Sequence, residues 1–282
     1  MYRRLLPLTA LITAIAAAVS SCSLVDVLGP RPDADLLELA EQALKDERSA
    51  AETDPELAEL RGNQAEELLA EITRLCGTDP AGKLPSTCEV TEQNLDLSDQ
   101  ANSPAADIPA QALSQVLTAV EDVPEDSVDL LTVQAVELAT ADGDTRLPEP
   151  PVISDEEDLA AARTLLEEEY AIEYGLGVAA AFVAAGDAAL LEDTLAATRE
   201  RILALQLLLQ PSDDVPSAQP GYEFTAAPAP VDEASTEDFL TAVRTGEEAR
   251  WEAAAANAQS LEWRDFAVAA AAHAGAGQLP AA

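Results

Sequence analysis

Apolar residues along this chain recur at three- and four-residue spacings in eight segments, and nowhere is there a convincing strand. The pattern predicts an all-α protein. Asp33 is placed to cap a first helix over 34–53, whose inner face is Leu36, Leu39, Ala40, Ala43 and Leu44. Pro55 suits the first turn of a second helix over 56–76, with Leu57, Leu60, Leu68, Ile72 and Leu75 inward and Gly77 as the stop. Segments 108–121 and 127–141, broken at Val123-Pro124, read as a second hairpin. Ser154 with Glu157 reads as a capping box opening a long helix from 155 to about 185, and Gly186-Asp187 makes the turn. A helix over 188–210 stops at Pro211, and a Pro-rich crossover follows over 212–234. Ser235 is placed to cap a helix over 236–259, and a last helix covers 261–274.

Leu147-Pro148-Glu149-Pro150-Pro151 is a stiff, polar interruption, so a domain boundary is expected at 143–153. It separates an N-terminal helical domain, 34–142, from a four-helix domain, 154–275, with a tail at 276–282. The two halves read as a degenerate repeat: Glu47 occupies the place of Glu169, and Gln64 that of Thr198.

The pattern is interrupted in one helix. Leu159, Leu165, Leu166, Ile172, Leu176 and Val183 define one face, and Glu169 and Glu173 fall in its middle, four residues apart and on one side. A third carboxylate, Glu247, lies amid Phe239, Leu240, Val243 and Trp251. Buried carboxylates must be paired, protonated or hydrogen-bonded. Thr198 and Arg201 face the core from the preceding helix, and Tyr170 and Tyr174 can donate. A polar core network of Glu169, Glu173, Thr198, Arg201, Glu247, Tyr170 and Tyr174 is therefore expected.

Inward carboxylates on a bundle also suggest a metal pair. A di-iron bundle takes a Glu from each of two helices and a Glu-x-x-His from each of two others. The single histidine, His273, has Ala270 three positions earlier, so neither Glu-x-x-His exists. Glu169, Glu173 and Glu247 remain as candidates for an oxygen-only site, but the expectation is no metal and no cofactor. His273 is expected to pack beside Trp263 and Phe266. No Gly-x-Ser-x-Gly elbow, phosphate-binding glycine loop or His-Glu-x-x-His is present, so no enzyme class is indicated.

Charge and address narrow the partners. The 282 residues carry 15 Lys+Arg against 53 Asp+Glu, a net charge of −38, which excludes a nucleic-acid partner and electrostatic attachment to an anionic membrane. With 48% hydrophobic residues the chain can still build a core. Tyr2-Arg3-Arg4, the apolar run 5–19 and Val19-Ser20-Ser21-Cys22 have the form of a secretory signal, residues 1–22, ending on a lipobox cysteine. Acylation of Cys22 would anchor the chain to membrane lipid on the extracytoplasmic face, through a tether over 23–33. Cys76 and Cys88 then suggest a disulfide, worth about 3 kcal/mol for a loop of about a dozen residues.

The stretch Glu169-Tyr170-Ala171-Ile172-Glu173-Tyr174-Gly175-Leu176-Gly177-Val178, with the helix over 188–210, the crossover and the Trp251 helix, resembles a ferritin-like domain family of unknown function. That family occurs in lipoproteins and secreted proteins of high-GC Gram-positive bacteria. Its usual opening is E-H-A-A-x-Y-G-Y-G-V; the Glu, Tyr-Gly and Gly-Val match, while Tyr170 replaces the His and Leu176 the second Tyr. The resemblance spans about 154–275 and implies a ferritin-like four-helix bundle with no established activity. Three functions stay open on these grounds: a non-catalytic binding or scaffolding lipoprotein, a carboxylate-metal redox or storage protein, and a carrier of apolar ligands between alanine-rich helices.

Overall fold

The computed structural model describes residues 29–79, 81–90, 95–97, 104–144, 146–223 and 228–276, and the expected signal and its Cys22 lie outside them. The described residues form eight α-helices and no strand. In the first half, α1 (Ala34–Ala50) starts at Asp33, whose carboxylate accepts from Leu36 N at 3.1 Å. Helix α2 (Pro55–Cys76) carries its proline in the first turn and is capped by Asp54. The Cys76–Cys88 disulfide is formed, with Cα atoms 6.3 Å apart, and closes the expected loop onto the end of α2. Thr87 within that loop donates to the carbonyl of Pro30, fastening the chain just ahead of α1. The second hairpin is α3 (Ile108–Ala119) and α4 (Val128–Asp142), which ends on Gly143 at φ 73°, a conformation that favours glycine.

In the second half, α5 (Glu156–Ala179) is capped by Asp155 rather than Ser154, its carboxylate accepting from the backbone of Glu157 and Asp158. It stops six residues short of the expected end, where successive three-residue turns take over. Helix α6 is Ala188–Leu209 and α7 is Glu233–Ala256. The cap of α7 is Asp232, and Ser235, expected as the cap, is instead the third residue of a reciprocal capping box. Helix α8 runs Leu261–Gly275.

Consecutive helices pair as hairpins; α1 also packs on α3, α5 on α7 and α6 on α8. Helix α4 lies against both α7 and α8, so the halves are in contact along it. One apolar cluster runs from Leu36, Leu68 and Leu138 through Leu166 and Leu205 to Trp251, Trp263 and Phe266. Leu147 and Ile153 of the Pro-rich segment pack against it. A smaller cluster of Ile172, Leu176, Phe239, Leu240 and Val243 fills the other end of the α5–α8 half. Each of these large apolar side chains contributes about 1.5–3 kcal/mol on burial, enough to offset a few buried polar groups. Between the two clusters the core turns polar.

Candidate functional site

At that point four helices each contribute to one buried ionic cluster. Arg201 on α6 donates from Nε to Glu169 Oε1 on α5 at 2.8 Å and from Nη2 to Oε2 at 3.2 Å, a two-pronged contact. The same Nη2 donates to Glu247 Oε1 on α7. Thr198, one turn earlier on α6, is 3.3 Å from that oxygen and accepts from Arg201 Nη2 at 3.3 Å. Trp251 donates from its indole nitrogen to Glu169 Oε1 at 2.8 Å. From α8, His273 Nδ1 is 3.2 Å from Arg201 Nη1, and its Nε2 is 3.2 Å from Glu200 Oε2. Glu169, Thr198, Arg201 and Glu247 are at most 2% exposed.

The charges decide how this cluster behaves. Burial opposes the Arg201 charge, but Glu169 and Glu247 together outweigh it and hold its pKa above the ordinary value. Glu247 is pushed up to about 7, first by burial and also by the Glu169 charge, with Arg201 pulling the other way. One guanidinium therefore serves two carboxylates, and burial raises the proton affinity of Glu247 above that of a free carboxyl.

Of the residues expected in one network, the structure brings Glu169, Thr198, Arg201 and Glu247 together and places three others elsewhere. Glu173 is not in the core: its carboxylate turns outward to Arg199 Nε at 2.8 Å, with its side chain 32% exposed. Tyr174 is exposed and tilts against Tyr222 of the crossover, their rings 5.7 Å apart. Tyr170 is buried, but its hydroxyl accepts from Gln206 at 2.8 Å and donates to the Pro216 carbonyl, securing the crossover rather than a glutamate. Trp251 and His273 are the members the sequence reading missed as partners. Both lay on core-facing positions, yet only the packing of α7 and α8 shows what their nitrogens meet.

A related arrangement occurs in the first half. Arg61 on α2 meets Asp46 on α1 at 3.0 Å, and both are buried. Gln42 donates to Asp46 at 2.8 Å, and Arg61 donates to Gln64. The acidic partner is thus Asp46, not Glu47, whose carboxylate lies over Gly62. Burial lowers the Arg61 pKa, because a single carboxylate does not offset desolvation where two do at Arg201. A reciprocal glutamine pair lies beside it: Gln64 donates to Glu137 at 2.9 Å and Gln134 to Glu67 at 3.0 Å.

A metal pair does not fit the ionic cluster. The Arg201 guanidinium reaches both Glu169 and Glu247, filling with a fixed positive charge the position between carboxylates that a bridging cation would take. Among the described residues, no group of three or more His, Cys, Asp and Glu is placed to hold a metal ion. No described helix is long and apolar enough to cross a membrane. No protein-family model matches the chain, and neither a curated protein nor a solved structure does.

Proposed function

We propose that this chain is a lipid-anchored, extracytoplasmic helical protein of ferritin-like architecture, serving as a non-catalytic binding or scaffolding module. The observation that carries the reading is the Arg201 guanidinium between Glu169 and Glu247. An internal cation there supplies what a metal supplies in a carboxylate bundle, namely charge balance and cross-linking of helices, without an open coordination position for chemistry. Two paired hairpins joined by the long crossover between α6 and α7 support the ferritin-like architecture. The Cys76–Cys88 disulfide supports an oxidising compartment outside the cytoplasm, and the Val19-Ser20-Ser21-Cys22 sequence supports acylation. The groove lined by Arg74, Asp126, Asp129, Asn257, Gln259 and Arg264 is polar and suits a polar partner, whereas that between α1 and α3 mixes Asp35, Glu38 and Gln42 with Leu39 and Ala119.

The test is expression of the full chain in a bacterium that matures lipoproteins. Mass spectrometry is expected to find Cys22 diacylated at the new N-terminus, and Cys22→Ser to leave the protein unacylated. Element analysis of the purified protein is expected to find no stoichiometric iron or manganese. Near two tightly held metal ions per chain would sink the non-catalytic reading, and an unmodified Cys22 would sink the anchor.

A further inference from the structure

The last turn of α8 is tied to α6 through one titratable ring. Arg201 Nη1 is 3.2 Å from His273 Nδ1, and a guanidinium nitrogen can only donate. Nδ1 must therefore present its lone pair, which puts the ring proton on Nε2, facing Glu200 Oε2 at 3.2 Å. The neutral ring is thus held in one tautomer by one donor and one acceptor, both on α6. It is 7% exposed, while the Glu200 side chain beyond it is 65% exposed, so the ring stands between the buried cluster and water.

We propose that His273 is a pH-sensitive latch that fastens the C-terminal turn of α8 to α6 when neutral and releases it when protonated. A proton added at Nδ1 points an N–H at the N–H of Arg201 and places two cations side by side. Arg201 cannot turn away, because Glu169 and Glu247 hold its other nitrogens. The imidazolium can follow Glu200 outward. The charged groups bearing on the ring are Glu200 and Arg201 from α6 and Glu169 from α5. From α7, Glu247 acts through Arg201, and Glu248 lies against Gly275 at the end of the same turn. Helix α4, the remaining helix packed on α8, contributes Glu137, which interacts electrostatically with Glu248.

Burial, then Arg201, hold the imidazole below its ordinary pKa, and Glu200 opposes them. The unfolded chain therefore binds this proton more readily, and the latch loses stability as pH falls through the unfolded value of 6.5. The device belongs to the bundle and is independent of the membrane anchor.

The chain has a single histidine, so its imidazole nitrogens are readable by nitrogen-15 NMR without assignment. The neutral ring is expected as the Nε2–H tautomer with a titration midpoint below 6.5. Amide exchange over residues 270–275 is expected to rise roughly tenfold in step with that titration, the effect of losing about one hydrogen bond. His273→Gln, whose carboxamide can accept from Arg201 and donate to Glu200, is expected to abolish the step. An Nδ1–H tautomer, a titration without change in exchange, or the same acid step in H273Q would each overturn the proposal. If H273Q does not fold, the tautomer and exchange of the unaltered chain decide it.

Discussion

Replacing Glu247 by glutamine makes the electrostatics of the ionic cluster measurable. Glu247 is 2% exposed, and its pKa is raised from 4.5 to about 7. The folded protein then binds the proton more tightly than the unfolded chain does, so protonation favours folding. This contribution is fully present below about pH 4.5 and is lost as pH rises through about 7. At roughly 1.4 kcal/mol per pH unit, the gap corresponds to an effect on the order of 3 kcal/mol. E247Q keeps the size of the side chain and an oxygen for Arg201 but cannot ionise. Other raised carboxyls, including Glu137, Glu168 and Glu252, tilt the stability of both proteins alike, and the difference between the two cancels them. Urea unfolding of both proteins at intervals from pH 5 to pH 8.5 gives that difference directly. The stability of E247Q relative to the unaltered chain should improve by about 2–3 kcal/mol from the acid to the alkaline end. A difference flat with pH would refute the placement of the proton on Glu247.

Three further outcomes follow from the same geometry. Arg201→Met, leaving two buried carboxylates unbalanced, should cost about 3–5 kcal/mol, while E169L/R201M/E247L should recover most of it; thermal melts of both variants separate pairing from packing. Asp158 is 1% exposed and accepts from Gln259 N, Ser260 N and Ser260 Oγ at 2.8, 2.9 and 2.6 Å, joining the first turn of α5 to the α7–α8 corner. Asp158→Ala should therefore lose about 2–3 kcal/mol by urea unfolding, and a loss below 0.5 kcal/mol would show those amides to be satisfied by water. C76S/C88S should lose about 3 kcal/mol with the fold retained, seen as an unchanged far-ultraviolet spectrum and a lower melting temperature.

The helices were readable because their ends carry local chemistry. Pro55, Gly77, Gly143 and Pro211 act within one or two residues of where they stand, and every helix was found, the largest boundary error being the six residues at the end of α5. The caps were harder: Ser154 and Asp155 are adjacent and both competent, and the choice depends on whether the hydroxyl or the carboxylate reaches the first free amides. Glu173 shows where periodicity fails. Four residues advance a helix by 400°, so Glu173 is turned about 40° from Glu169, enough to move it from the middle of a face to its edge. Which of the two lies inside depends on where α6 crosses α5, and that crossing puts Arg201 under Glu169 and Arg199 beside Glu173. Asp46 and Glu47 pose the same problem one residue apart. The roles of Trp251 and His273 were invisible for another reason: aromatic residues on an apolar face look alike until a neighbouring helix supplies a partner for the nitrogen.

The indole of Trp251 has a consequence of a different kind. The chain contains two tryptophans, Trp251 and Trp263, with ring centroids 6.1 Å apart and both in contact with Phe266. All of the protein's indole emission therefore originates at one spot, and one of the two emitters is hydrogen-bonded to Glu169. The dye is native to the sequence, and its colour and lifetime report on the state of the ion pair without any label. In a mixture of folding species, fluorescence follows the α7–α8 corner and the face of α4 packed on it, and reports least on α1 and α2. Paired with a backbone probe such as circular dichroism, which sees every helix, it would reveal whether the two halves come apart together or in sequence.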